Sequence, residues 1–167
     1  MANKQNFKSD EWTKILESTM LAGMAVSAAE PSGLWGALKE AFASSSALAT
    51  AKSNPGSNEL IKAVVSDFET KEGRSAVQEA LRQHLAGAAK PADAVQRSLA
   101  NLKEVSAILD AKAPQDAAGF KAWLRTIGQN VADASSEGGF LGIGGVQVSD
   151  AEKATLADIS KALGTRA

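Results

Sequence analysis

Apolar residues return every three or four positions along most of the chain, the spacing of one face of an α-helix. Trp12, Ile15, Leu16, Thr19, Gly23 and Val26 set this rhythm over residues 9–28. Ser9, Asp10 and Glu11 precede them and suit a helix N-terminus. The apolar side narrows to Ala22 and Gly23, which predicts a close crossing by another helix. Pro31 suits the first turn of a second helix, with Leu34, Trp35, Leu38, Phe42 and Leu48 on its apolar side. The Ser-Asn-Pro-Gly-Ser run at 53–57 is the clearest loop.

A third helix is expected from about Asn58, with Leu60, Ile61, Val64, Val65 and Phe68 on one face. A break follows over 69–73, then a fourth helix with Ala76, Val77, Ala80, Leu81 and Leu85. Pro91 opens a fifth, carrying Val95, Leu99, Leu102, Val105, Ile108 and Leu109. Pro114 opens a sixth, in which Phe120, Trp123, Leu124, Ile127 and Val131 form a strong amphipathic stripe. Residues 137–148 differ in character: five glycines alternate with Phe140, Leu141, Ile143 and Val146. Ser149 and Glu152 then form a capping-box pair before Leu156, Ile159 and Leu163, and Gly164 suits the C-terminal cap. The pattern predicts one all-α domain over residues 9–167: a bundle of six or seven helices, with an apolar Gly-rich loop before the last. A polar N-terminal tail, residues 1–8, precedes it.

Composition agrees with this class. The 167 residues are rich in alanine, the best helix former, and hold 18 Lys and Arg against 19 Asp and Glu. That balance excludes a basic nucleic-acid binder and an intrinsically disordered chain. The absence of Cys removes disulfides, thiolate metal sites and cysteine nucleophiles. One His and no Tyr remove most metal and acid–base constellations. The apolar run at 20–29 is too short to span a membrane. Asp10, Glu11 and Glu17 stand upstream of it, where a signal peptide would be basic. The expectation is a cytoplasmic protein that binds neither membrane nor nucleic acid.

Few side chains stand out as a site. The glycines at 138, 139, 142, 144 and 145 match no phosphate-binding loop, since no Lys-Ser/Thr follows and no strand precedes. Their apolar neighbours Phe140, Leu141 and Ile143 suit either packing on the bundle or docking on a partner. Trp35, between Gly33 and Gly36, is the tryptophan placed to face a pocket or partner, whereas Trp12 and Trp123 sit on core stripes. His84 lacks the Glu-x-x-His spacing of a di-iron helix and reads as a solvated or capping residue near a helix end. Asp67, Glu69 and Glu72 read as a solvated acidic face, with Asp67 and Lys71 spaced for a surface ion pair. No catalytic residue, metal site or cofactor is expected.

Two segments, EWTKILESTMLAGMAVSAAEPSGLWGALKE at 11–40 and GGFLGIGGVQVSDAEKATLADISKALG at 138–164, resemble a bacterial family of uncharacterised all-helical proteins. The final V-S-x-x-E-x-x-x-L-x-x-I-x-x-x-L-G segment is similar to the last helix of tellurite-resistance TerB-like domains. The acidic loop motifs of those domains have no counterpart here, so the resemblance implies no metal site. The leading expectation is a non-enzymatic protein-interaction or scaffold module, whose partner is another protein or a second copy of itself. Trp35, Phe140, Leu141 and Ile143 are its candidate contact residues. The alternatives are a carrier holding a small apolar ligand between helices near Trp35, and an enzyme using carboxylates such as Asp67 and Glu69.

Overall fold

The computed structural model describes residues 2–29, 58–86, 88, 90–137 and 148–165. Six α-helices stand among them: α1 (Ser9–Ala29), α2 (Glu59–Glu69), α3 (Lys71–Leu85), α4 (Pro91–Lys112), α5 (Pro114–Glu137) and α6 (Asp150–Leu163). The described residues contain no strand, so the all-α bundle expected from the periodicity is the architecture observed. The predicted second helix, at Pro31 onwards, and the Gly-rich loop lie outside the described residues.

α1 is the axis of the bundle and packs against each of the other five helices. Its sequence explains why. From Ile15 onward almost every residue is buried, including Leu16, Leu21, Ala22, Gly23, Met24, Ala25 and Val26. A helix that is apolar around its whole circumference is stable only when surrounded. The surrounding helices contribute Leu60, Val64, Leu102, Leu109, Phe120, Leu124, Ile159 and Leu163, all fully buried. Each such side chain contributes about 1.5–3 kcal/mol through loss of its contact with water.

Helix directions follow from contacts along α1. The backbone amide of Ala2 donates to Asp116 Oδ2 at the start of α5 (2.7 Å). Three turns further on, Gly128 of α5 faces the Ala22 carbonyl and the side chains of Leu156 and Ile159 on α6. α5 therefore runs parallel to α1. The close crossing expected at Ala22 is made by a glycine on α5, where a Cβ would stand 3.3 Å from Leu156. α4 runs the other way: Lys112 pairs with Glu11 (2.6 Å), Glu104 with Lys14 (2.5 Å) and Asn101 with Glu17 (3.1 Å). α6 is antiparallel to α5, and its last carbonyl, Leu163 O, accepts from Ser106 Oγ on α4 (3.0 Å). Consequently the C-terminal ends of α1 and α5 and the N-terminal ends of α4 and α6 share one end of the bundle.

Helix ends are closed by the residues the sequence offers for them. Asn58 caps α2 by accepting from the Ile61 amide (2.8 Å), while its Nδ2 donates to Asp116 O (2.9 Å). Its amide fits there because position 119 is glycine; a Cβ would lie 2.6 Å from Asn58 Nδ2. Ser149 and Glu152 form the expected capping box on α6, and Gly164 ends that helix at φ +66°. The break between α2 and α3 is the single residue Thr70. Its hydroxyl donates to Asp67 O (2.7 Å) and accepts from the Gly73 amide (2.9 Å).

The polar segment before α1 is docked. A short 3₁₀ turn, Lys4–Asn6, is closed by reciprocal bonds of Asn3 and Asn6. Ala2 and Phe7 are buried, and the Phe7 ring lies 5.8 Å from Trp12. Trp12 Nε1 donates to Asp67 Oδ2 (2.7 Å), and Lys4 Nζ reaches the same carboxylate (3.1 Å). Asp67 thus pairs with Lys4 and Trp12, where the i,i+4 spacing predicted Lys71. A long-range partner with a buried indole N–H outcompetes a solvated helical neighbour.

Candidate functional site

Four buried polar side chains with an atom lacking a hydrogen-bond partner gather where α3 and α4 meet the middle of α1. Glu17, Leu21 and Met24 are spaced i, i+4, i+7 on α1 and share a face. Leu81 of α3 rests on Leu21 and Met24. His84, one turn beyond Leu81, therefore arrives at Glu17. From α4, Ala94, Ser98, Asn101 and Val105 share a buried face at the same heptad-like spacing, which brings Asn101 to the opposite side of the carboxyl group.

The geometry is tight but incompletely bonded. Asn101 Nδ2 donates to Glu17 Oε2 (3.1 Å). His84 Nδ1 lies 3.3 Å from Glu17 Oε1, within ion-pair distance but out of hydrogen-bond alignment. The side chains are 6% exposed for Glu17 and 17% for His84. Glu17 Oε1, His84 Nε2, Ser98 Oγ and Asn101 Oδ1 are all buried without a hydrogen-bond partner. Arg97 Nη1 donates to the His84 carbonyl (3.0 Å) and so closes the C-terminal end of α3 with a cation.

Both titratable groups are pushed toward their neutral forms. Burial raises the Glu17 carboxyl above its ordinary value, against the opposing pull of Lys14 and of the Asn101 hydrogen bond. Burial lowers the His84 imidazole, and the Arg97 charge lowers it further, against the Arg97 backbone bond and Glu104. The arrangement can hold one proton between a carboxyl and an imidazole out of bulk water, which is an acid–base capacity. Among the described residues no group of three His, Asp or Glu side chains comes together to hold a metal ion.

The sequence reading of His84 as a solvated or capping residue is corrected by this contact. Its signal was present: Val77, Leu81 and His84 are spaced i, i+4, i+7, so the histidine belongs to the stripe that packs on α1. Glu17, Ser98 and Asn101 were missed because their types suggest exposure. Trp12 and Trp123 are buried, 3% and 9% exposed, as their stripes predict. Trp123 meets Phe120 edge-on at 5.3 Å. Asp67 is committed to anchoring Trp12 and Lys4. Trp35, Phe140, Leu141 and Ile143 lie outside the described residues. No helix among the described residues is long and apolar enough to cross a membrane. Comparison with protein-family models, with curated proteins and with solved structures finds no match to this chain.

Proposed function

We propose that this chain is a non-enzymatic protein-interaction or scaffold module that engages a protein partner, or a second copy of itself, through one end of its helical bundle. The observation that supports this reading is topological. α5 ends and α6 begins at the same end of the bundle, and α1 ends there too. The stretch with Phe140, Leu141 and Ile143 joins α5 to α6, and the stretch with Trp35 follows α1. The residues singled out for contact thus belong to connections that leave from one end. The helices are held around α1, which is almost wholly buried from Ile15 onward and suits a rigid platform. A bacterial setting belongs to the same proposal, from the resemblance of residues 11–40 and 138–164, and so does a cytoplasmic one, from the acidic residues ahead of the apolar run at 20–29.

The test is the double variant Phe140→Ser/Leu141→Ser, purified beside the unaltered chain. The proposal expects loss of a co-purifying protein or of self-association, with an unchanged melting temperature. A variant that melts early would show that these residues pack on the bundle instead. A variant that keeps its partner and its stability would remove the loop from the interaction.

A further inference from the structure

We propose that Glu17 and His84 form a proton-operated latch, which fixes the C-terminal end of α3 to α1 while both side chains are neutral and loosens α3 when one of them is charged alone. α3 is held mainly at its two ends. At its N-terminal end it is joined to α2 by the one-residue turn at Thr70, where Gly73 is required because a Cβ would collide with Asp67 O. Along its length the packing is sparse: Gly73 and Val77 are its buried residues among those with described side chains. At its C-terminal end three contacts hold it. Leu81 lies on Leu21 and Met24, His84 lies against Glu17, and Arg97 bonds the His84 carbonyl. α3 is therefore hinged at one end and fastened at the other, and its low burial marks it as an element that opens locally before the bundle does.

The fastening contact cannot carry charge without cost. An ionised Glu17 would keep Oε1 buried without an aligned donor, with Asn101 its one hydrogen-bond partner. A protonated His84 would place a second cation beside Arg97. The charged groups that bear on the pair are Lys14 on α1 and Arg97 and Glu104 on α4. Lys14 and Glu104 are already engaged with each other at 2.5 Å, so neither is free to follow a titration of the pair. Once α3 lifts, both groups regain water and their ordinary proton affinities. Opening would uncover Leu21 and Met24, which form a small apolar cluster apart from the main core.

The signs follow from linkage. In the closed state Glu17 holds its proton more tightly than in the open state, so closure weakens as pH rises above its ordinary value of 4.5. His84 holds its proton less tightly when closed, so closure weakens as pH falls below its ordinary value of 6.5. The two effects have opposite signs, so they offset each other in the unaltered chain and each is read cleanly once the other group is removed.

Hydrogen exchange on the full chain from pH 4 to 8, corrected for intrinsic rates, tests this, with α5 as the internal reference. Glu17→Gln, which leaves the imidazole alone, should make the α3 amides lose protection as pH falls below 6.5; His84→Gln, which leaves the carboxyl alone, should make them lose it as pH rises above 4.5, each by up to about tenfold per pH unit. With both residues replaced, α3 should follow α5 throughout. The latch is overturned if α3 follows α5 across the whole range in both single variants, or if their two profiles have the same sign. Should one single variant fail to fold, the other decides alone, since the sign expected of it does not depend on its partner.

Discussion

Replacing Glu17 by Gln removes a charge without changing the shape of the side chain, at a site that already disfavours the charge. Glu17 is 5% exposed, accepts one hydrogen bond from Asn101 and leaves Oε1 without a partner beside the equally unpartnered Asn101 Oδ1. A glutamine oxygen can accept from Asn101 Nδ2, and its amide can donate to Asn101 Oδ1 or to neutral His84 Nδ1. The change therefore satisfies a buried acceptor and removes a buried anion at once. Leaving such a group unsatisfied costs about 1–3 kcal/mol, more when it is charged. The folded carboxyl titrates above its ordinary value of 4.5. Its contribution to stability is thus complete below pH 4.5 and lost as pH rises through the raised folded value. Glu17→Gln should stabilise the protein by about 2 kcal/mol at pH 8, or about 4–8 °C in melting temperature. Near pH 4.5 the two proteins should melt together. Thermal melts followed by circular dichroism at the two pH values give the answer. A variant less stable than the unaltered chain at pH 8, or a difference that ignores pH, would refute the reasoning.

Other substitutions test separate joints of the fold. Asp67→Ala leaves the Trp12 indole N–H without its acceptor and should cost about 1–3 kcal/mol in denaturant melts. Asp67→Asn keeps an acceptor for Trp12 and should lose far less, since the exposed Lys4 pair contributes about 0–1 kcal/mol. Gly73→Ala forces a Cβ onto the Asp67 carbonyl and should destabilise by about 1–3 kcal/mol, raising exchange in α2 and α3 first. Ser149→Ala removes the α6 N-cap and should cost about 1 kcal/mol by equilibrium unfolding, with exchange rising at the first turn of that helix.

The helices were legible in the sequence because their signals are local. Asn58, Pro91, Pro114, Ser149 and Gly164 stand at the helix boundaries they predict. The stripe Trp12, Ile15, Leu16, Thr19, Gly23 and Val26 is buried throughout. What escaped is the rotation of α4. The apolar residues Val95, Leu99 and Ile108 are only partly buried, whereas Ser98, Asn101 and Ser106 face inward. Small polar residues let α4 approach α1, and Asn101 and Ser106 find their partners, Glu17 and Leu163 O, on other helices. Glu17 and Asn101 are 84 positions apart, and no local pattern encodes such a meeting. The helical period is visible residue by residue, but the pairing of one polar face with another appears only once several helices are packed together.

Mass measurement under native conditions bears most directly on the proposed role as an interaction module. The chain, purified without denaturation, is compared with its denatured mass. The account predicts added mass of protein size, a partner or further copies of the chain. Loss of that species is expected in Phe140→Ser/Leu141→Ser. A small added mass that disappears on denaturation would instead mark a carrier or a ligand-dependent enzyme, and a bare monomer at every concentration would contradict the interaction account outright.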